Sequence, residues 1–365
     1  MSYDSGRKHA GERELGATHA RRRMMREDAE GTAPELVGPR ALREWLTGAR
    51  ESYPRVFLVD NGATAEGVEE VAGAEDVILL PAESGPFAGR ARVVRYRGAL
   101  NEVGDELFIG ERGVELQEYV AAAFVHIVGP TAVCILDASS WRAFLDDAEL
   151  ARRTGVFPSA LIDPRVLLAD RAALARPGEL EKPTAIRVSA EGRVSVGVQG
   201  EVLGGVDELL ALLALPLPRA VAWGDRAPRE VLTDDGRNRE RIERYLNATD
   251  LMKMLRLANG AAKISGFGWS LLDDGLADAE PLTADPFLLE TAEGFVFADT
   301  RTLRRQLLSP STATVVAATQ TSSTLEIAVE RVARQLRVRT PVANVLCLEA
   351  VAALDAHFGR RVDAS

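Results

Sequence analysis

Residues 285–336 read DPFLLETAEGFVFADTRTLRRQLLSPSTATVVAATQTSSTLEIAVERVARQL. Three short apolar runs come first, and two segments with helical spacing follow. PFLLET predicts a strand, turned by Ala292, Glu293 and Gly294. FVFAD predicts a second, with Phe295 and Phe297 on one face and Val296 on the other, because side chains alternate across a strand. TLRRQLLS predicts a third, polar in its middle and apolar at its ends. The connections are too short for crossovers, so the three strands form an antiparallel meander.

Helix starts come next. Ser309-Pro310 places an N-cap before a proline at the first helical position, and Val315 and Val316 of STATVVAATQ turn inward. Ser323 or Thr324 caps a second helix, whose inner face is Leu325, Ala328, Val329, Val332 and Leu336. Thr340-Pro341 repeats the start, and a last helix carries Cys347, Val351, Leu354 and Phe358 before Gly359 closes it. Three strands followed by three helices in residues 283–365 is a winged-helix order.

That order resembles the RiPP recognition element, the peptide-binding module of ribosomal peptide biosynthesis, over residues 285–359. The resemblance rests on the order of elements, on the second strand GFVFAD and on TSSTLEIAV at the start of the second helix. ATQTSS stands where the family commonly has an Asp-Gly turn. The whole chain is similar to the larger recognition proteins of daptide pathways, through GVFPSALIDPRVLLADRAAL (155–174) and AKISGFGWSLLDDG (262–275).

The resemblance implies binding by strand addition. A leader peptide would pair with the exposed edge formed by Leu303, Arg304, Arg305, Gln306, Leu307 and Leu308. Its side chains would lie against the third helix, residues 342–358, through Val345, Leu348 and Ala352. Arg304 and Arg305 would pair with acidic leader residues; the plainer reading makes them a solvated edge that resists aggregation. The implied partners are the precursor peptide and pathway enzymes: an iron-containing alcohol-dehydrogenase-like oxidoreductase, an aminotransferase and a methyltransferase.

A winged helix can also read DNA. The chain carries a formal charge of −10, and residues 285–365 hold nine Lys/Arg against nine Asp/Glu. The last helix has no cation before Arg360. A DNA-reading helix without cations would forgo most of its attraction to phosphate, so no nucleic-acid partner is expected.

The rest of the chain is an ordinary globular mixture, 46% hydrophobic and 27% charged. Residues 1–35 predict a loosely held arm, with Arg21, Arg22 and Arg23 as a basic docking segment in the sharper reading. Residues 36–180 alternate strand and helix patterns and predict a small α/β layered domain. RVFLVDNG and DVILLP are strands around the short helix ATAEGVEEVAGAE, ARVVRYRG and ELFIG are further strands, and VELQEYVAAAFVHIVG is an apolar helix. TAVCILD is a buried strand, and SSWRAFLDDAELARRTG is a helix capped by Ser139 or Ser140 and ended by Gly155. Residues 181–282 form a middle region: a hairpin at TAIRVSAEGRVSVGVQG, a short helix at VDELLALLAL, helices closed by Gly260, and a glycine-rich loop with Trp269.

No motif for chemistry stands out. DNGATAEG does not match the dinucleotide fingerprint G-x-G-x-x-G. His9, His19, His126 and His357 show no metal-ligand spacing, and there is no C-x-x-C, so no metal or cofactor is expected. The Asp pairs 146–147, 234–235 and 273–274 read as solvated turns or helix ends, and Asp163 as a turn. Cys134 and Cys347 read as buried thiols, which fits a reducing cytoplasm. No apolar run reaches the ~20 residues of a membrane helix. The expectation is a non-catalytic protein that presents a precursor peptide to its enzymes, with a peptide-modifying α/β enzyme or a winged-helix transcription regulator as alternatives.

Overall fold

The computed structural model describes residues 36–226 and 236–361. Residues 1–35, where the arm with Arg21, Arg22, Arg23, His9 and His19 was expected, and the Asp234-Asp235 pair lie outside the described residues. The N-terminal elements are α1 (Val37–Thr47), β1 (Val56–Val59), α2 (Glu66–Val71), β2 (Val77–Pro81), β3 (Arg92–Gly98), β4 (Glu106–Ile109), β5 (Arg112–Glu118) and β6 (Thr131–Cys134). Then follow α3 (Ala138–Thr154), α4 (Ser159–Ile162), β7 (Val166–Leu168), α5 (Arg171–Ala175), β8 (Leu180–Glu181), β9 (Ala185–Val188), β10 (Arg193–Val196), β11 (Val202–Gly205), α6 (Leu209–Leu212) and β12 (Leu217–Pro218).

Ten of these strands form one mixed sheet in the order β11-β10-β9-β1-β2-β3-β4-β5-β6-β7. The centre, β9-β1-β2-β3, is parallel. VFLV and VILLP carry no polar side chain because both faces of these strands are covered. Val56 and Leu58 meet Leu42, Trp45 and Leu46 of α1, while Phe57 and Val59 meet Val68 of α2 and Leu209 of α6 on the opposite face.

Three expectations change here. The apolar helix expected at 114–129 is instead the end of β5, pairing with β4 and β6, and a single 3-10 turn at Ala121–Ala123. Val114 and Leu116 face the core and Glu115 and Gln117 alternate with them, so the period is two. The hairpin β9–β10 forms, but β9 lies parallel to β1, so the sheet crosses the boundary drawn at residue 180. Helix α3 is capped by Asp137: its carboxylate accepts from the Ser139 and Ser140 amides at 2.9 and 2.8 Å, and Ser140 Oγ accepts from the Asp137 amide at 3.1 Å.

The C-terminal elements are α7 (Gly236–Leu255), β13 (Ala262–Ser265), β14 (Gly268–Trp269), β15 (Ala279–Glu280), β16 (Phe287–Thr291), β17 (Gly294–Asp299), β18 (Arg304–Leu308), α8 (Pro310–Gln320), α9 (Leu325–Leu336), α10 (Thr340–Leu354) and β19 (Arg360–Arg361). Strands β16, β17 and β18 form an antiparallel meander. It is part of a five-stranded sheet, β14-β13-β16-β17-β18. One face carries Leu288, Phe295, Phe297 and Leu308 against α8, α9 and α10. The other carries Phe287, Leu289, Val296 and Ala298 into a core shared with α3 and α7.

Helix α8 has Ser309 as N-cap, accepting from the Thr312 amide at 3.1 Å, and Pro310 at its start. Thr324 caps α9. The third start differs from expectation: Arg339 is the N-cap residue of α10 without a side-chain cap, and Thr340 is already helical. The helix stops at Asp355, in left-handed conformation at φ 60°, and not at Gly359. Gly359 serves close approach instead. A Cβ there would fall 2.4 Å from the Gln320 carbonyl oxygen, so glycine alone lets the chain pass the end of α8 and pair β19 with β15.

The Asp273-Asp274 turn is the largest departure. The Asp274 side chain, 7% exposed in a half-buried residue, accepts from Arg331 Nε at 2.9 Å and Nη2 at 3.1 Å. The Arg331 side chain has no exposed surface. Its Nη1 donates to Thr321 O and Oγ1 and to Ser322 Oγ at 2.9, 2.8 and 2.9 Å. Removing one partner of a buried pair leaves the other charge uncompensated, at a cost of about 3–5 kcal/mol. Arg331→Met and Asp274→Ala are each expected to lower stability by that amount in urea unfolding; a loss of under ~1 kcal/mol would show that the pair is not holding the helices to the sheet.

Candidate functional site

Strand β18 is the last strand of its sheet, so its outer N–H and C=O groups have no strand partner among the described residues. Arg304, Arg305, Gln306 and Leu307 are exposed and Leu308 is buried. The register splits them. Residues directly opposite each other share a face, and Leu308 lies opposite Phe295, Gln306 opposite Phe297 and Arg304 opposite Asp299. Phe295 and Phe297 face the helices, so Arg304 and Gln306 do too. Arg305 and Leu307 lie opposite Ala298 and Val296 and take the other face. Sequence reasoning treated Arg304 and Arg305 as equivalent, and the pleat separates them. Leu303 precedes the strand at φ 56°, a left-handed conformation that side chains rarely adopt, and is 71% exposed. Asp299 holds this turn, accepting from the Arg301 amide at 2.8 Å and Thr302 Oγ1 at 2.6 Å.

Helix α10 buries Ala343, Cys347 and Ala350. Its opposite side exposes Val342, Val345 and Leu348 at 46, 51 and 46%, and Ala352 continues the stripe. These positions, three or four apart, lie one above the other. The helix is therefore apolar on both sides, with Glu349 its only charged residue. Contiguous exposed apolar surface of this kind is common at interaction sites. Helix α8 packs against both β18 and α10.

Two of the hollows among the described residues border the C-terminal half, and the second reaches the turn before β18 at Asp299, Arg301 and Leu303. A cavity of about 500 Å³ sits among α3, α7, β14 and β15. It is lined by Tyr245, Phe267 and Trp269 and by charge-matched groups: Arg152 with Glu149 at 2.8 Å, Arg241 with Glu280 at 3.8 Å, and Arg360 with Glu240. The hydrogen bonds from Arg152 hold the Glu149 carboxyl below its usual range, so it is a poor proton donor. Arg244 beneath is buried, and burial pushes its guanidinium down to about 10; it donates to the Leu282 and Asp285 carbonyls and stacks over Phe287 at 4.3 Å. The second hollow is a cleft of about 980 Å³ along α5 and α7.

Sequence reasoning missed one titratable pair. His357 Nδ1 lies 2.7 Å from the buried Asp285, 72 residues away along the chain. Its other ring nitrogen lies 3.8 Å from Asp355. The pair ties the C-terminal segment to the start of β16. His126, expected inside a helix, is exposed in the loop after β5. Asp147 accepts from Tyr119 Oη at 2.8 Å. Among the described residues no group of three His, Cys, Asp or Glu is placed to hold a metal ion, and no helix is long and apolar enough to cross a membrane.

Comparison with protein families, curated proteins and solved structures finds no match to this chain.

One buried carboxyl makes a pH test. Asp170, at φ 51°, accepts a 3.4 Å bond from the Val198 amide, and burial pushes its pKa up to about 8. A folded-state value above the unfolded ~3.9 means the associated stability is complete below pH ~4 and is lost as pH rises through about 8. Asp170→Asn should match wild type near pH 4 and melt higher than it at pH 9. An equal offset at both pH values would show that Asp170 is ionised in the fold.

Proposed function

We propose that this chain is a recognition protein for a ribosomally made precursor peptide, and that residues 283–365 act as a winged-helix RiPP recognition element. The leader adds as a strand to the free edge of β18, and alternate side chains rest on the apolar stripe of α10. The carrying observation is that stripe: Val342, Val345 and Leu348 stand exposed on the same helical layer that backs an unpaired edge strand. The bound peptide is then offered to pathway enzymes, an iron-containing alcohol-dehydrogenase-like oxidoreductase, an aminotransferase and a methyltransferase, in a daptide-like sequence of modifications.

The 500 Å³ cavity favours a second reading, in which the α/β region itself modifies the peptide. A change in peptide mass after incubation with this protein alone would select it. The transcription-regulator reading lacks support from charge, because α10 carries no Lys or Arg. A duplex titration at physiological salt is expected to show no sequence-dependent nanomolar binding.

The direct test uses the leader encoded by a short reading frame beside this chain's gene, labelled and titrated by fluorescence anisotropy. The register predicts an asymmetry. Arg304→Glu, on the helical face, should lose a charge-assisted contact of about 1.5–3 kcal/mol, roughly tenfold or more in affinity. Arg305→Glu, on the other face, should change affinity by less than about threefold. Wild-type binding by both folded variants, or no binding by the unaltered protein, would contradict leader capture at this edge.

A further inference from the structure

The 500 Å³ cavity is walled in part by a guanidinium whose hydrogen bonds are half made. Three of the cavity's arginines are already paired: Arg152 with Glu149 at 2.8 Å, Arg241 with Glu280 at 3.8 Å, and Arg360 with Glu240. Arg244 is the fourth. The acid that acts on its charge, Asp285, gives its carboxylate to His357 at 2.7 Å. Nη1 of Arg244 donates to the Leu282 and Asp285 carbonyl oxygens at 2.6 and 3.0 Å. Nε and Nη2 are buried and have no hydrogen-bond partner among the described residues. Stacking over Phe287 at 4.3 Å uses the face of the guanidinium and leaves these in-plane N–H groups unmet. A charged donor buried without an acceptor is costly, and in a native fold it calls for a physical reason.

The two unmet nitrogens are the pair that grips a carboxylate side-on. Nε and Nη2 of Arg152 take the two oxygens of Glu149, each at 2.8 Å. Those of Arg165 take Asp163 at 3.0 and 2.7 Å, and those of Arg331 take Asp274 at 2.9 and 3.1 Å. In each case two parallel N–H groups match the spacing of two carboxylate oxygens. Arg244 has the same fork with no acid on it. The rest of the wall is largely apolar, through Leu145, Ala148, Ile242, Phe267 and Trp269. The volume, about 500 Å³, falls within the ~300–1,000 Å³ of single-ligand pockets. A phosphate would carry more charge than one guanidinium edge matches and would leave the rings facing water. A single carboxylate on an apolar body meets both parts of the wall.

We propose that this cavity binds a small organic acid, one carboxylate on an aromatic or aliphatic body, with the carboxylate on Nε and Nη2 of Arg244 and the body against Phe267 and Trp269. The guanidinium is charged at neutral pH, because burial lowers it only to about 10. The site is separate from the β18 edge, and its occupation needs no peptide.

Calorimetric titration of the full chain with 3-phenylpropanoate, octanoate and 3-phenylpropanamide tests this. Both acids are expected to bind, and the amide, with the same body and no charge, to bind roughly tenfold or more weakly than 3-phenylpropanoate. Trp269→Ala, which spares the guanidinium, should weaken 3-phenylpropanoate and its amide alike. Arg244→Met should bring acid and amide to equal affinity; should that variant not fold, the ratio of acid to amide on the unaltered chain decides alone. Equal affinity for acid and amide on the unaltered chain, or no binding of either acid at millimolar concentration, would overturn the assignment. Neither result bears on leader capture, which is read at β18 with a peptide.

Discussion

The guanidinium of Arg331 fixes the geometry on which the C-terminal half depends. It is held at one end by both oxygens of Asp274, in the loop ahead of β16, and at the other by Thr321 and Ser322 after α8. A buried arginine is tolerated only when its donors are met, and here the carboxylate, a carbonyl and two hydroxyls meet them. The consequence reaches beyond α9. Helix α10 packs on α8 and α9, and α8 packs on β18, so the position of the Val342, Val345 and Leu348 stripe relative to the edge strand depends on where Arg331 anchors the layer. A buried ion pair stabilises less than apolar packing of the same volume would. What it supplies is a single arrangement of three helices.

The opposite face of the same sheet is held by rings. Tyr119, Phe144, Tyr245, Phe157, Phe267 and Phe287 form a chain with successive centroids 5.7, 5.8, 6.0, 5.3 and 6.5 Å apart. It begins beside the ten-stranded sheet, passes α3 and α7, and ends on β16. The β18 edge is therefore backed on one face by the helical layer and on the other by the main core. Rigidity of this kind favours binding, because little ordering entropy is then lost when a peptide pairs with the strand. It also places the 500 Å³ cavity and the long cleft within one framework with the edge strand.

How much was legible in the sequence follows the range of the forces involved. The local signals read correctly were proline after Ser309, the turn at Ala292, Glu293 and Gly294, and the alternation of Phe295, Val296 and Phe297. Central strands β1 and β2 were legible as uninterrupted apolar runs. The failures are non-local. Val114 and Leu116 alternate for only a few residues before the apolar run beginning at Val120, and the longer run obscured the shorter period. Asp274 meets Arg331 57 residues later, and Asp285 meets His357 72 residues later, separations at which a single sequence carries no signal. The candidate edge was visible as residues, but its division into a helical face and an opposite face depends on register with β17, which only the folded sheet supplies.

The central claim is that a peptide backbone completes the sheet at β18. Amide hydrogen exchange of the full chain, with and without the leader peptide, measures this at the atoms concerned, because a newly paired strand protects its donors. The account predicts that protection rises in Arg304–Leu308 and in α10, with little change in the central strands β1 and β2. Protection confined to the residues around the 500 Å³ cavity, with exchange at β18 unchanged, would contradict it.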